Sequence, residues 1–206
     1  MLEKMNYQHI VEVISIHQSS WSKNEISRKL GGKYLHLFYA NVVSCPHSFA
    51  YVYSVGGKVI AYACGFYDYP SFNHSFLRKT FLSTVLIFLR RLMRGKITWV
   101  DILNLHYDNR KFRKSRYPKQ HLGALALCNE YKGTNEGRRA IMDAMAEVLN
   151  ELEKKKFSGC GAVCDEKNIP MRKYFMELGF CERDRIPFKG KSVVLYEKEF
   201  IAPSKN

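Results

Sequence analysis

The chain has 206 residues, a formal net charge of +14, 46% hydrophobic residues and six cysteines. That length supports one good-sized core, and no stretch rich in Pro, Gly or Ser divides it, so a single domain over 1–206 is expected. No uninterrupted apolar run reaches spanning length and residues 1–16 alternate charged with apolar, which excludes a bilayer span or a leader on pattern and predicts a cytoplasmic protein. The cysteines lie mostly in apolar, strand-like surroundings without paired CxxC spacing, and read as reduced core residues; Cys160 and Cys164 lack the second pair or the His that a metal site needs, so no metal is expected.

Periodicity predicts helices over 8–19 and 24–43, the second weakened at Gly31-Gly32. Two β-rich runs, 48–55 and 58–67, flank Gly56-Gly57 and read as a hairpin. A basic insertion of about 69–120 follows, and its part from 76 to 119 carries twelve Lys and Arg against Asp101 and Asp108, hence +10 of the +14. Within it, Leu77, Phe81, Val85, Phe88 and Leu92 fall on one helical stripe, with Thr80, Ser83, Arg90 and Arg94 away from it, and 110–119 (RKFRKSRYPK) reads as a basic loop. The run 121–128 (HLGALALC) reads as a strand buried on both faces, 137–154 as an amphipathic helix and 159–164 as a strand, a βαβ unit expected to be parallel and right-handed. A short helix then opens at Asn168 with Pro170 in its first turn and stops at Gly179; the runs 180–187 and 192–200 close the chain as a hairpin. The order is ααββ, an insertion, then βαβαββ, which predicts an α/β fold: a mixed central sheet with helices on both faces.

A strand, a glycine-bearing loop and a helix start, in that order around Lys132-Gly133-Thr134-Asn135-Glu136-Gly137, make an anion cradle, because loop amides and a helix N-terminus both favour a phosphate. Arg138 and Arg139 lie in the first helical turn, where the macrodipole disfavours cations by up to about 1 kcal/mol each, and a bound anion reverses that sign.

The element order and two motifs resemble the GNAT superfamily of acyl-CoA-dependent N-acetyltransferases. The family's phosphate loop runs Arg/Gln-x-x-Gly-x-Gly/Ala, and residues 132–137 fall on it, with Lys132 for Arg and Asn135, the best non-glycine for a left-handed backbone, for the first Gly. The second motif is an Asn opening a helix that ends in Gly-Phe, here Asn168 through Gly179-Phe180. The resemblance covers 48–67 and 121–200 well, the N-terminal helices loosely and the insertion hardly at all.

It implies acetyl-CoA, or another acyl-CoA, as cofactor and a small-molecule amine as acceptor. Backbone groups of Leu125 and Leu127 would pair with the pantetheine arm, and the amides of Gly133, Thr134, Asn135, Glu136, Gly137 and Arg138 would hold the pyrophosphate, with Lys132, Arg138 or Arg139 neutralising it. Asn168 would bond the pantetheine amide besides capping its helix. His121, where many members carry a Glu, is the candidate general base. The family's tyrosine acid falls at Phe175, beside the cofactor, and Tyr174, about 100° round the helix, is the candidate acid. His17 reads as a surface residue or as lining for the acceptor pocket.

For the insertion helix, packing on the sheet, homodimerisation and contact of 76–119 with an anionic membrane all fit the pattern, with packing the simplest. A nucleic acid ranks below an anionic lipid or a phosphorylated substrate, since no recognised nucleic-acid fold accompanies the charge. A non-catalytic basic module that docks on a membrane or nucleic acid is the alternative to an enzyme.

Overall fold

A computed structural model of the chain describes residues 1–23, 25–101, 118–188 and 191–200, with nothing said of the Phe188 side chain. Seven strands form one sheet in the order β1-β2-β3-β4-β5-β7-β6: β1 (Leu2–Lys4), β2 (Ser48–Val55), β3 (Lys58–Phe66), β4 (His121–Leu127), β5 (Gly159–Asp165), β6 (Cys181–Phe188) and β7 (Lys191–Glu199). Every neighbouring pair is antiparallel except β4 and β5. The short edge strand β1, three residues long, has no signal in the sequence.

The helices are α1 (Ile10–Ser20), α2 (Ile26–Leu30), α3 (Gly32–Ser44), α4 (Tyr69–Met93), α5 (Asn135–Lys154) and α6 (Ile169–Glu177). The break expected near Gly31-Gly32 separates α2 from α3. Helix α5 lays Ile141, Met145, Val148 and Leu152 on one face of the sheet, over Ile60, Leu122 and Ala162. Helices α1 and α3 cover the other face, with Ile10, Val13, Leu35 and Val42 packed over Val52, Tyr62 and Ala126. Helices on both faces leave the central strands apolar on both sides, as 121–128 reads.

The insertion differs most from expectation. Helix α4 starts at Tyr69, capped by Asp68 whose carboxylate accepts from Ser71 N–H at 3.0 Å, and runs 25 residues. It packs on α3 through Phe72 and Phe76, whose rings meet Phe38 at 5.6 and 5.9 Å. The residues it buries are Phe72, Phe76, Thr80 and Thr84, whereas Leu77, Phe81 and Val85 are exposed. Those three stripe residues therefore face away from the protein's own core, while Phe88 and Leu92 are half-buried. The basic loop read over 110–119 lies outside the described residues except at its last two positions, 118 and 119.

Candidate active site

The site begins with an irregularity in the sheet. Strand β3 pairs with β4 in the register Gly65↔Leu122 and then Ala63↔Leu125, so β4 carries one extra residue there, a bulge at Gly123-Ala124. On its other side β4 pairs with β5 at His121↔Gly161 and Leu122↔Ala162 alone, while β5 remains paired with β7 from Gly159 to Asp165. Each strand is held by its outer neighbour, and the two diverge after Leu122. Cys128 N–H donates to Ile60 C=O at 2.7 Å, so ladder alternation points the Ala126 backbone towards β3 and the Leu125 and Leu127 backbones into the opening. The result is a row of strand donors and acceptors without a strand beside it, in the middle of a sheet. The far end of the row is pinned to α1: Ser20 Oγ donates to Leu127 C=O, and Asn129 Nδ2 to Ser19 C=O at 3.2 Å.

The loop after β4 leads directly to the N-terminus of α5. Its left-handed residue is Gly133, at φ +81°, and Asn135 is helical, so the substitution of Asn for a glycine needs no unusual backbone. The helix starts two residues earlier than its apolar pattern does, because Thr134 caps it: Thr134 Oγ1 accepts from Gly137 N–H at 3.0 Å. Thr134 N–H donates to Tyr131 C=O and Arg138 N–H to Thr134 C=O. Three of the six amides expected to hold pyrophosphate are thus engaged within the protein; those of Asn135 and Glu136, in the first turn, have no intrahelical acceptor, and Gly133 sits beside them. Gly137 is needed for a different reason from backbone freedom. A Cβ there would lie 2.0 Å from Tyr131 C=O, so the glycine lets the helix start press against the loop.

The two arginines are already compensated. Arg138 Nη2 meets both Glu177 carboxylate oxygens, at 2.9 and 3.1 Å, and Arg139 pairs with Asp143 one turn along at 3.6 Å. Carboxylates thus offset the macrodipole's penalty on the two cations, and Lys132, exposed and making no ion pair among the described residues, is the cation left for an anion.

Across the opening, Asn168 caps α6 through Met171 N–H at 3.3 Å, in the turn that follows β5. Its amide nitrogen makes no bond in that cap. Tyr174 is half-buried against the α5-side core. Phe175, expected beside the cofactor, is 1% exposed, its ring 5.3 Å from Phe180 and 5.2 Å from Tyr196, so it packs as a core residue. His121 opens β4 beside Tyr69, ring centroids 5.3 Å apart, and burial pushes its imidazole down to about 4. It is neutral at pH 7, as an acceptor of protons must be, but a weak base.

His17 is no surface residue. It is 2% exposed, with Nδ1 2.7 Å from the Tyr39 hydroxyl and 3.1 Å from that of Tyr62, Nε2 3.0 Å from Ser27 Oγ, and its ring stacked on Trp21 at 4.3 Å. This buried polar cluster sits under the α1–α3 face beside Ala126, the register partner of Tyr62. The signal that could have found it is the placing of His17 in line with the apolar positions Ile10, Val13, Ile14 and Ile16.

No protein-family model matches the chain, and no curated protein matches it significantly. Solved structures do. The ribosomal-protein-S18-alanine N-acetyltransferase from Escherichia coli aligns with a TM-score of 0.58 at 12% identity, over 100% of this chain and 97% of that one. An N-acetyltransferase from Staphylococcus aureus Mu50 gives 0.60 at 10% identity, covering 97% of each. PaiA N-acetyltransferase from Thermoplasma acidophilum, in complex with coenzyme A, gives 0.58 at 13% identity over 97% of this chain and 98% of that one. Likeness at such identities concerns architecture, and the architecture is clear: the chain has the fold of the GNAT N-acetyltransferases.

Proposed function

We propose that the protein is an acyl-CoA-dependent acyltransferase that acylates an amine, with acetyl-CoA as donor. The observation that carries this reading is the opening between β4 and β5, where the Leu125 and Leu127 backbones face a space that an extended amide-bearing chain such as pantetheine fills as an added strand. The residues fit that guest at three points. Leu125 and Leu127 offer strand pairing, Asn168 stands at the end of β5 with its amide nitrogen outside the helix cap, and the amides of Asn135 and Glu136 with Lys132 receive the pyrophosphate at the start of α5.

The bound cofactor supplies a thioester carbonyl to the opening. The bulge at Gly123-Ala124 breaks the β3–β4 ladder beside it, and a backbone amide of β4 there would polarise that carbonyl. His121, neutral with its imidazole near 4, accepts a hydrogen bond from the incoming amine or from a water that carries its proton away; it does not store the proton. As the N–C bond formed and the C–S bond broke, Tyr174 would be the hydroxyl that returns a proton to sulfur. A thiol reference value near 8.5 lets that sulfur leave near neutral pH without direct protonation as well.

Calorimetry and thermal shift on the full chain with acetyl-CoA and longer acyl-CoAs test the reading. Binding is expected with CoA itself and weakened roughly ten- to a hundredfold in Lys132→Glu, the worth of one charge-assisted contact. No heat and no thermal shift with any of these ligands overturns it.

A further inference from the structure

Helix α4 buries hydroxyls and exposes hydrocarbon. Thr80 and Thr84 are its inward residues beyond Phe76, with Thr80 Oγ1 donating to Phe76 C=O at 2.7 Å and Thr84 Oγ1 to Thr80 Oγ1 at 3.2 Å. Outward stand Leu77, Phe81, Leu82, Leu86, Leu89 and Met93, with Phe81 61% and Leu82 76% exposed. At about 100° per residue this set is centred roughly half a turn from the buried one, and it extends about 24 Å along the helix. A contiguous apolar face of that length marks an interaction site.

Charge identifies the partner. From residue 69 to 100 there is no Asp or Glu, against six Lys and Arg. Arg91 is used within the fold, its Nε donating to Leu30 C=O at 2.9 Å. Arg78, Lys79, Arg90, Arg94 and Lys96 are exposed, Arg78 and Lys79 at the start of the apolar face and the others towards its end. We propose that this face lies on an anionic phospholipid surface, with the leucines and Phe81 at the acyl boundary and the cations among the headgroups. A second copy of the chain would bring Arg78 and Lys79 against the same cations of its twin. The segment 102–117 of this chain repeats the sign, with Arg110, Lys111, Arg113, Lys114 and Arg116 against Asp108. An acidic lipid surface alone satisfies both the hydrocarbon and the charge. Among the described residues no helix is long and apolar enough to cross a membrane, so the contact is peripheral.

Sedimentation of the full chain with phosphatidylcholine vesicles, with and without phosphatidylglycerol, is the test. Binding is expected to the acidic vesicles alone and to weaken with salt. The double variant Arg78→Ala/Lys79→Ala should bind about thirtyfold more weakly, and Phe81→Glu/Leu82→Glu should not sediment while melting at the wild-type temperature. The proposal is overturned by absence of binding to acidic vesicles or by undiminished binding of the glutamate variant. It also falls if that variant melts several degrees lower, which makes 102–117 the cover, or if it abolishes a concentration-dependent dimer, which makes a second copy the partner. Coenzyme A binding is read separately by calorimetry, so this proposal and the acyltransferase reading fail independently.

Discussion

Acid should unfold this protein partly through His17. Burial holds the imidazole down at about 4, against 6.5 for a free histidine side chain, with the nearby Arg28 guanidinium adding to it. Tyr39, Tyr62 and Cys64 also face the cluster, all pushed upward by burial and therefore neutral in acid. The folded state thus binds fewer protons than the unfolded one between the two values. The contribution to stability is complete above pH 6.5 and is lost as pH falls towards 4. The full shift corresponds to roughly 3 kcal/mol, most of which is gone at pH 4.5. Urea unfolding of wild type and His17→Gln at pH 7 and pH 4.5 isolates the effect. Asp68, Asp101 and Asp165, whose carboxyls are held below their usual range, titrate in both chains and cancel. Wild type should lose roughly 2–3 kcal/mol more than the variant between the two pH values. Equal losses would refute the reasoning, because they would mean that His17 titrates alike in the folded and unfolded chain.

Gly137→Ala places a Cβ 2.0 Å from Tyr131 C=O and should cost about 1–3 kcal/mol together with coenzyme A affinity, whereas Gly133→Ala meets open space and should cost only the roughly 1–2 kcal/mol of its left-handed backbone; chemical denaturation and calorimetry on both variants distinguish them. Phe175→Tyr restores the family's tyrosine on paper, but at 1% exposure the new hydroxyl is buried without a partner, so a loss of about 1–3 kcal/mol and no gain in turnover are expected. Turnover that rises in this variant would show that α6 presents position 175 to the opening after all.

The fold was legible because its signals are strong and local. Gly-Gly between two β-rich runs, an apolar strand followed by a helix with apolar residues at 141, 145, 148 and 152, and an Asn-x-Pro helix start each fix one element, and the connections leave few ways to assemble them. The loop expected to carry the site was legible in its position and less so in its hydrogen bonds. The six positions 132–137 do lead from the loop after β4 into α5, but which amides stay available depends on Thr134 acting as the cap, and the charge of Arg138 is compensated by Glu177, thirty-nine residues away. Contacts of that separation leave no mark on local pattern. The opening between β4 and β5 is also invisible in sequence, since it exists through what β3 and β7 do on the outer sides of the two strands.

Helix α4 shows a different limit. Periodicity correctly separated Leu77, Phe81 and Val85 from Thr80, yet the side that packs is the one with Phe72, Phe76, Thr80 and Thr84. An apolar stripe says that a helix has a partner, not that the partner belongs to the same chain. Here the inner face closes with Phe72 and Phe76 at its N-terminal half, where the rings meet Phe38 and Tyr34 edge-on, and farther along Thr80 and Thr84 need little room because their hydroxyls bond along their own helix. Two threonines satisfied in this way let the helix stay docked without using its leucines. The leucines are then left for whatever the cations around them attract, and substitution of Phe81 and Leu82 by glutamate separates docking from folding for that reason: the fold does not need them.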